Sequence, residues 1–231
     1  MTVYRKVVLV TRKTRLQELV ERFNTLSQAR FYIEHAGGAF AEYQHEDDAY
    51  HSALDALRTS LEFGLPVLLV DRALVPTFRF EAEDLVVTLG QDGLVANTAK
   101  YVGGQPIVAV NPDPARFDGI LLPFLPGQAR RAVSEVMEGR ARVHEITLAE
   151  VVLNDGQRLL AFNDLFLGAR SHISALYRIA CGGASEVQSS SGVLVSTGAG
   201  STGWLSSMFN MASPGIKASN ASRCKASTAI I

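Results

Sequence analysis

The stretch Leu85-Val86-Val87-Thr88-Leu89-Gly90-Gln91-Asp92-Gly93 decides how the first half of the chain is read. A short, mostly branched apolar run bounded by glycine predicts a buried strand. Gly90 and Gly93 then break the run around an acid, and residues 97–101 are expected to be helical. A strand that ends in a glycine-flanked acid and passes into a helix belongs to an α/β sheet, where ligands bind at the carboxyl ends of strands. Asp92 would then be exposed to a ligand, and it could accept a proton from a hydroxyl nucleophile. An ordinary strand-to-helix turn is the alternative, because Gly and Asp are common there.

Towards the N-terminus, Val7, Val8, Leu9 and Val10 predict another buried strand. Thr14 with Gln17 forms a capping-box signature, and Leu16, Leu19, Val20, Phe23 and Leu26 follow at helical spacing. Residues 49–61 predict a second helix with Ala53, Leu54, Leu57 and Leu61 on its apolar side, ended by Gly64 and Pro66. Residues 67–70 predict another buried strand, and residues 107–110 a further strand. This alternation argues for a parallel sheet covered by helices.

Asn111-Pro112-Asp113-Pro114 is a turn-rich boundary. One helix is expected over residues 128–138. Beyond Gly139 the period changes, and short β-like runs are expected at 143–148, 151–153, 159–162, 165–167, 176–180 and 193–195. Asn154-Asp155-Gly156 is a hairpin signal between two of them. The chain is therefore read as an α/β domain over residues 1–118 and a β-rich, mostly antiparallel domain over residues 119–231.

Composition bounds the function. Of 231 residues, 47% are apolar and 19% charged, which supports a sizeable core. Lys and Arg number 22 against 23 Asp and Glu, a net charge of −1. There is no global pull toward nucleic acid or an anionic membrane, so neither is expected as a partner. No apolar run approaches the roughly 18 residues of a membrane span. Two cysteines, Cys181 and Cys224, make no disulfide framework, and a reduced, cytoplasmic location is expected.

Two more segments carry candidate chemistry. Asn163-Asp164 interrupts an apolar strand region. Asn offers donor and acceptor together and Asp accepts from two hydroxyls, which suits an adenine edge or a ribose diol. A hairpin turn or β-bulge is the alternative. Ser196-Thr197-Gly198-Ala199-Gly200-Ser201-Thr202-Gly203-Trp204 follows a strand and precedes an expected helix. Its glycines expose backbone N–H groups, and its hydroxyls are neutral toward an anion. A flexible Gly/Ser loop is the alternative.

Taken in order, Gly90–Gly93, residues 110–114, Asn163-Asp164 and residues 191–204 resemble the NAD kinase family, and most nearly its mitochondrial-type branch. The resemblance spans residues 7–208. It implies a Rossmann-like parallel-sheet domain followed by a β-sandwich domain, with the nucleotide site between them. It implies transfer of a phosphoryl group from ATP, carried with Mg2+, to the adenosine ribose 2′-hydroxyl of NAD. Asp92 would orient or deprotonate that hydroxyl. Gly90, Gly93, Gly198, Gly200 and Ser201 would cradle phosphates. Asn163, Asp164, Thr202, Trp204 and Ser207 would hold NAD. No protein-held metal is implied, and a homo-oligomer is expected.

The chain departs from that pattern at Gln91, where the family has a second glycine, at Leu94, where it has Thr, and at Asp164, where it has Glu. Residues 213–231 are rich in Ser and Ala, so the β-rich domain is expected to be incomplete, and the chain is expected to bind nucleotide weakly and be catalytically poor, or to need a partner subunit to cover the open sheet edge. A non-catalytic nucleotide-binding relative, or a kinase of another hydroxyl such as a lipid, are the alternatives. His45-Glu46-Asp47-Asp48 with His51 is read as acids in the first turn of a helix rather than a metal cluster. Arg130 and Arg131 are read as a solvated helix face, and Cys181 as structural.

Overall fold

The structure, a computed structural model, describes residues 3–212 and 227–230. It divides into two compact units, residues 1–145 with 228–231, and residues 146–227. The division falls well beyond Asn111–Pro114, so the helix expected at 128–138 belongs to the first unit.

In the first unit, β1 (Lys6–Thr11), β2 (Val67–Asp71), β3 (Asp84–Leu89) and β4 (Ile107–Val110) form a parallel sheet in the order β2-β1-β3-β4. Val7 lies opposite Val67 on one side and Leu85 on the other, and Val87 lies opposite Val108. All six residues of β3 and all four of β4 are buried, as continuous apolar strands require when both faces are covered.

Between β1 and β2 run α1 (Arg15–Phe23), α2 (Leu26–His35) and α3 (Phe40–Ser60). The capping box at Thr14 forms as expected: its hydroxyl accepts from Gln17 N–H and its N–H donates to the Gln17 side chain. The expected continuous helix through Leu26 is instead two. Asn24 takes a left-handed φ of 65° and Thr25 caps a new helix by accepting from Gln28 N–H.

After a 3-10 segment (Arg72–Thr77) comes β3, then α4 (Asp92–Ala99), and later α5 (Ala129–Met137). The helix expected at 97–101 therefore starts earlier, directly at Asp92. One core face joins Val7, Leu9, Leu85 and Val87 to Tyr50, Ala53 and Leu57 of α3 and Ala132, Val133 and Val136 of α5. Burying such side chains stabilises by about 1.5–3 kcal/mol each.

Strand β5 (His144–Thr147) straddles the division. The second unit is mixed and mainly β: β6 (Ala149–Val152), β7 (Arg158–Ala161), β8 (Asp164–Gly168), β9 (Ala175–Cys181), β10 (Ala184–Ser190), β11 (Gly192–Ser196) and then α6 (Trp204–Ala212). They pair antiparallel as three separate two-stranded ladders, β6-β7, β9-β10 and β8-β11. The turn at Asn154-Asp155-Gly156 closes the first, with Gly156 at a φ of 86° and Leu153 N–H donating to Gln157 C=O. Gly182 and Gly183, at φ of 56° and 86°, close the second. Strand β10 has no apolar run to announce it. Strand β12 (Ser227–Ile230) lies parallel to β4, with Ile230 opposite Ile107. The rest of the Ser/Ala-rich segment lies outside the described residues.

Candidate functional site

In the first unit the strand order turns back at β1 and β3, so their carboxyl ends lie side by side. Crevices of this kind take ligands in open α/β sheets. Tyr50 of α3 ties the two ends together: its hydroxyl accepts from Arg12 N–H at 3.0 Å and donates to Leu89 C=O at 3.1 Å. Burial raises the Tyr50 phenol above its usual value, although the Arg12 N–H bond and charge pull the other way. A cavity of about 550 Å³ opens at the carboxyl ends of β1 and β2, lined by Arg12, Lys13, Asp71, Arg72 and Asn97 among others.

Gly90 ends β3 and is buried. A Cβ there would stand 2.8 Å from the end of the Leu94 side chain and 3.5 Å from Arg12 Cδ. Its smallness thus serves packing inside the chain. Gln91 is the residue before α4 and makes no side-chain cap. Asp92 is the first residue of α4, where the helix dipole favours a carboxylate. Its Oδ1 accepts from Leu121 N–H at 2.7 Å. Gly93 is exposed, and a Cβ there would meet nothing within 4 Å.

The loop that supplies Leu121 is built around Asn111. Its buried side chain donates to Phe117 C=O at 2.9 Å and accepts from Asp113 N–H at 3.0 Å. Gly119 packs against it with a φ of 64°, where any Cβ would stand 2.7 Å from Asn111 Nδ2.

The acids at 45–48 are not in a first helical turn, as the sequence suggested. They lie inside α3, which begins at Phe40. Glu46 is 4% exposed and accepts from Arg12 at 3.2 Å, Arg15 at 2.6 Å and Arg116 at 3.0 Å. Burial would raise its carboxyl, but hydrogen bonds and charge from Arg15 and Arg12 outweigh that and hold it below the usual carboxylate value. Asp47 accepts from the Thr14 hydroxyl. Among the described residues no group of three or more His, Cys, Asp or Glu could hold a metal.

In the second unit the other two motifs meet. Thr197 N–H donates to Asn163 C=O at 2.9 Å, its hydroxyl donates to Phe162 C=O at 2.6 Å, and Gly200 N–H donates to that hydroxyl at 3.1 Å. Asp164 faces Ser196 in the β8-β11 ladder. Its Oδ1 is buried and has no hydrogen-bond partner among the described residues. An orphaned buried acceptor of this kind calls for a donor. The Asn163 residue is exposed, and its side chain has no hydrogen bond among the described residues.

The glycine-rich loop divides by position. A Cβ on Gly200 would collide with the Asn163 carbonyl, whereas Gly198 faces open space. The Ser201 hydroxyl donates to Gly198 C=O at 2.7 Å, and Thr202 is exposed within a single 3-10 turn. Trp204 is 49% exposed and lies 5.5 Å, centroid to centroid, from Phe166. The Ser207 hydroxyl donates to Gly203 C=O at 3.4 Å. Arg130 lies over Phe63 and Arg131 pairs with Glu135, as partners on a helix surface do. Cys181 is free and exposed.

Sequence reasoning gave Thr197 no role of its own within the candidate loop, read Glu46 only as a helix acid, and missed Arg12, Arg116 and Asn111. The Asn-Pro-Asp-Pro turn signalled Asn111, but only as a boundary. No helix among the described residues is long and apolar enough to cross a membrane. Compared with models of protein families and with curated proteins, the chain matches none.

Proposed function

We propose that this chain is an NAD kinase-like phosphotransferase that phosphorylates the adenosine ribose 2′-hydroxyl of NAD with Mg-ATP to give NADP. The observation that carries the reading is the junction of Asn163-Asp164 with the Thr197–Gly200 loop, where a buried carboxylate oxygen is left without a donor. A ribose hydroxyl supplies such a donor, and a charged acceptor suits it. The reading also takes the first unit as Rossmann-like and the second as a β-sandwich relative.

Asn163 and Asp164 hold the adenosine ribose, with Thr202, Trp204 and Ser207 beside the base. The exposed residues Gly93, Gly198 and Ser201 offer their N–H groups to phosphate oxygens, while Gly90 and Gly200 shape the turns that present them. The 2′-oxygen forms a bond to the γ-phosphorus as the bond to the ADP oxygen breaks, and Asp92 takes the hydroxyl proton. Such transfers depend mainly on positioning and charge stabilisation.

The test is NADP formation from Mg-ATP and NAD by the full chain. Asp92→Asn is expected to keep NAD binding and to lower turnover by roughly 10²–10⁴, the span of general-base catalysis. Wild-type turnover in that variant removes Asp92 from the mechanism. A second reading, a nucleotide-binding protein without catalysis, is favoured by Gln91, which stands where the kinase pattern has a glycine. NAD binding with no NADP formed selects it.

A further inference from the structure

We infer that Glu46 and Arg116 are positioning residues for Asp92: the buried glutamate holds Arg116, and Arg116 holds the loop whose Leu121 N–H fixes the Asp92 carboxylate. The inference rests on reading Asp92 as the group that meets the acceptor hydroxyl.

The chain of contacts is continuous within the first unit. Glu46 stands in the middle of α3 and is 4% exposed, so its carboxylate is held by its partners rather than by water. Its Oε2 accepts from Arg116 Nη1 at 3.0 Å and from Arg15 Nε at 2.6 Å, and its Oε1 accepts from Arg12 Nη2 at 3.2 Å. Arg116 also reaches Glu42 C=O at 3.4 Å and lies 3.7 Å from Asp113. Next to it, Phe117 accepts from Asn111 through its carbonyl and presents its ring to the Arg12 guanidinium at 5.9 Å. Gly119 packs on Asn111, Leu122 N–H donates to Gly119 C=O at 2.9 Å, and Leu121 N–H reaches Asp92 Oδ1 at 2.7 Å.

The physical reason for a charged hub is geometric. The loop leaves β4 and returns beside α4 without a strand or helix of its own between residues 111 and 125. Its far end is held by the backbone bridge of Phe124 to β4 and by the buried Leu122. Before that, the side chains of Asn111 and Arg116 fasten it, and a guanidinium fixed at two nitrogens resists both translation and rotation. A backbone N–H that drifts by 1 Å no longer holds a carboxylate in the orientation a proton transfer needs.

Arg116→Met removes the fork and keeps the apolar stem, and Arg116→Lys restores one charged donor. Amide hydrogen exchange is measured by NMR on the full chain without ligand, and NADP formation is measured in parallel. In Arg116→Met the Leu121 amide is expected to exchange about ten-fold faster or more, with the β3 amides unchanged. Turnover falls while the apparent NAD constant stays, and Arg116→Lys recovers part of both effects. Unchanged Leu121 exchange overturns the inference. So does an equal rise across β3, which reports a general loss of stability. If wild-type protein forms no NADP, the proposed function fails, and the exchange data still decide whether Arg116 holds the loop.

Discussion

Two glycines two residues apart are expected to respond to alanine with opposite signs. Neither Gly198 nor Gly200 has a positive φ, so an alanine fits either backbone. Restricting the unfolded chain by itself stabilises such a substitution by about 0.4–1 kcal/mol. At Gly198 nothing lies within 4 Å of the new Cβ, and that gain stands alone. At Gly200 the new Cβ would stand 2.7 Å from the Asn163 carbonyl carbon and 2.8 Å from Ser196 Oγ, and it would collide with the Asn163 oxygen. The obstacle is backbone, already bonded to Thr197 N–H, so it cannot swing aside. Forced overpacking costs about 1–3 kcal/mol, which exceeds the entropic gain. Gly200→Ala should therefore lose roughly 0.5–2 kcal/mol, a fall of several degrees in Tm for a unit of this size. Trp204, the only tryptophan, sits in the second unit, and its fluorescence reads unfolding there by urea or heat. A Gly200→Ala protein as stable as wild type would refute the steric reasoning. A Gly198→Ala protein with unchanged stability and weakened ATP or NAD binding would instead place the ligand over Gly198.

Three further outcomes follow from the geometry. Asp164→Ala should raise the apparent NAD dissociation constant by roughly ten-fold or more, read by calorimetry, because a charged hydrogen bond is worth about 1.5–3 kcal/mol. Tyr50→Phe keeps the ring but leaves Arg12 N–H and Leu89 C=O without the hydroxyl that joins them. It should cost about 1–3 kcal/mol in urea unfolding, and a neutral result would mean that water replaces the hydroxyl. The Glu46 carboxyl lies below its ordinary value of 4.5 in the folded chain, so its contribution is present above that pH and is lost as pH falls through the lower, folded value. Glu46→Gln should thus lower the urea midpoint at neutral pH and flatten its decline below about pH 4.5, and parallel acid profiles for the two proteins would contradict this.

Local chemistry made much of the first unit readable. The four parallel strands are continuous apolar runs bounded by glycine, proline or charge, as strands covered on both faces must be. Strand β2, expected to be buried as well, instead lies at the sheet edge with Leu68 and Leu69 exposed. The capping box at Thr14 and the hairpin turn at Asn154-Asp155-Gly156 are contained within a few residues, so they could be read directly. Where local signals were weak, the reading slipped. Strand β10 is mostly small polar residues, and only the Gly182-Gly183 turn ahead of it gives a local signal. Helix α3 starts nine residues before its apolar face becomes clear, because its first turns are charged.

The sequence by itself determined most of the segments that become strands and which short motifs carry polar groups, since propensity, period and turn chemistry act over a few residues. Only the tertiary structure decided what those groups meet. Nothing near Glu46 in sequence announces three arginines, because Arg12, Arg15 and Arg116 arrive from just past β1, from α1 and from the loop after β4. Nothing in Gly200 reveals that it must lie against Asn163, and nothing in Asp164 shows that one oxygen would be buried without a donor. Burial and long-range pairing follow from how strands distant in sequence come together, and that depends on the whole chain's packing rather than on any local pattern.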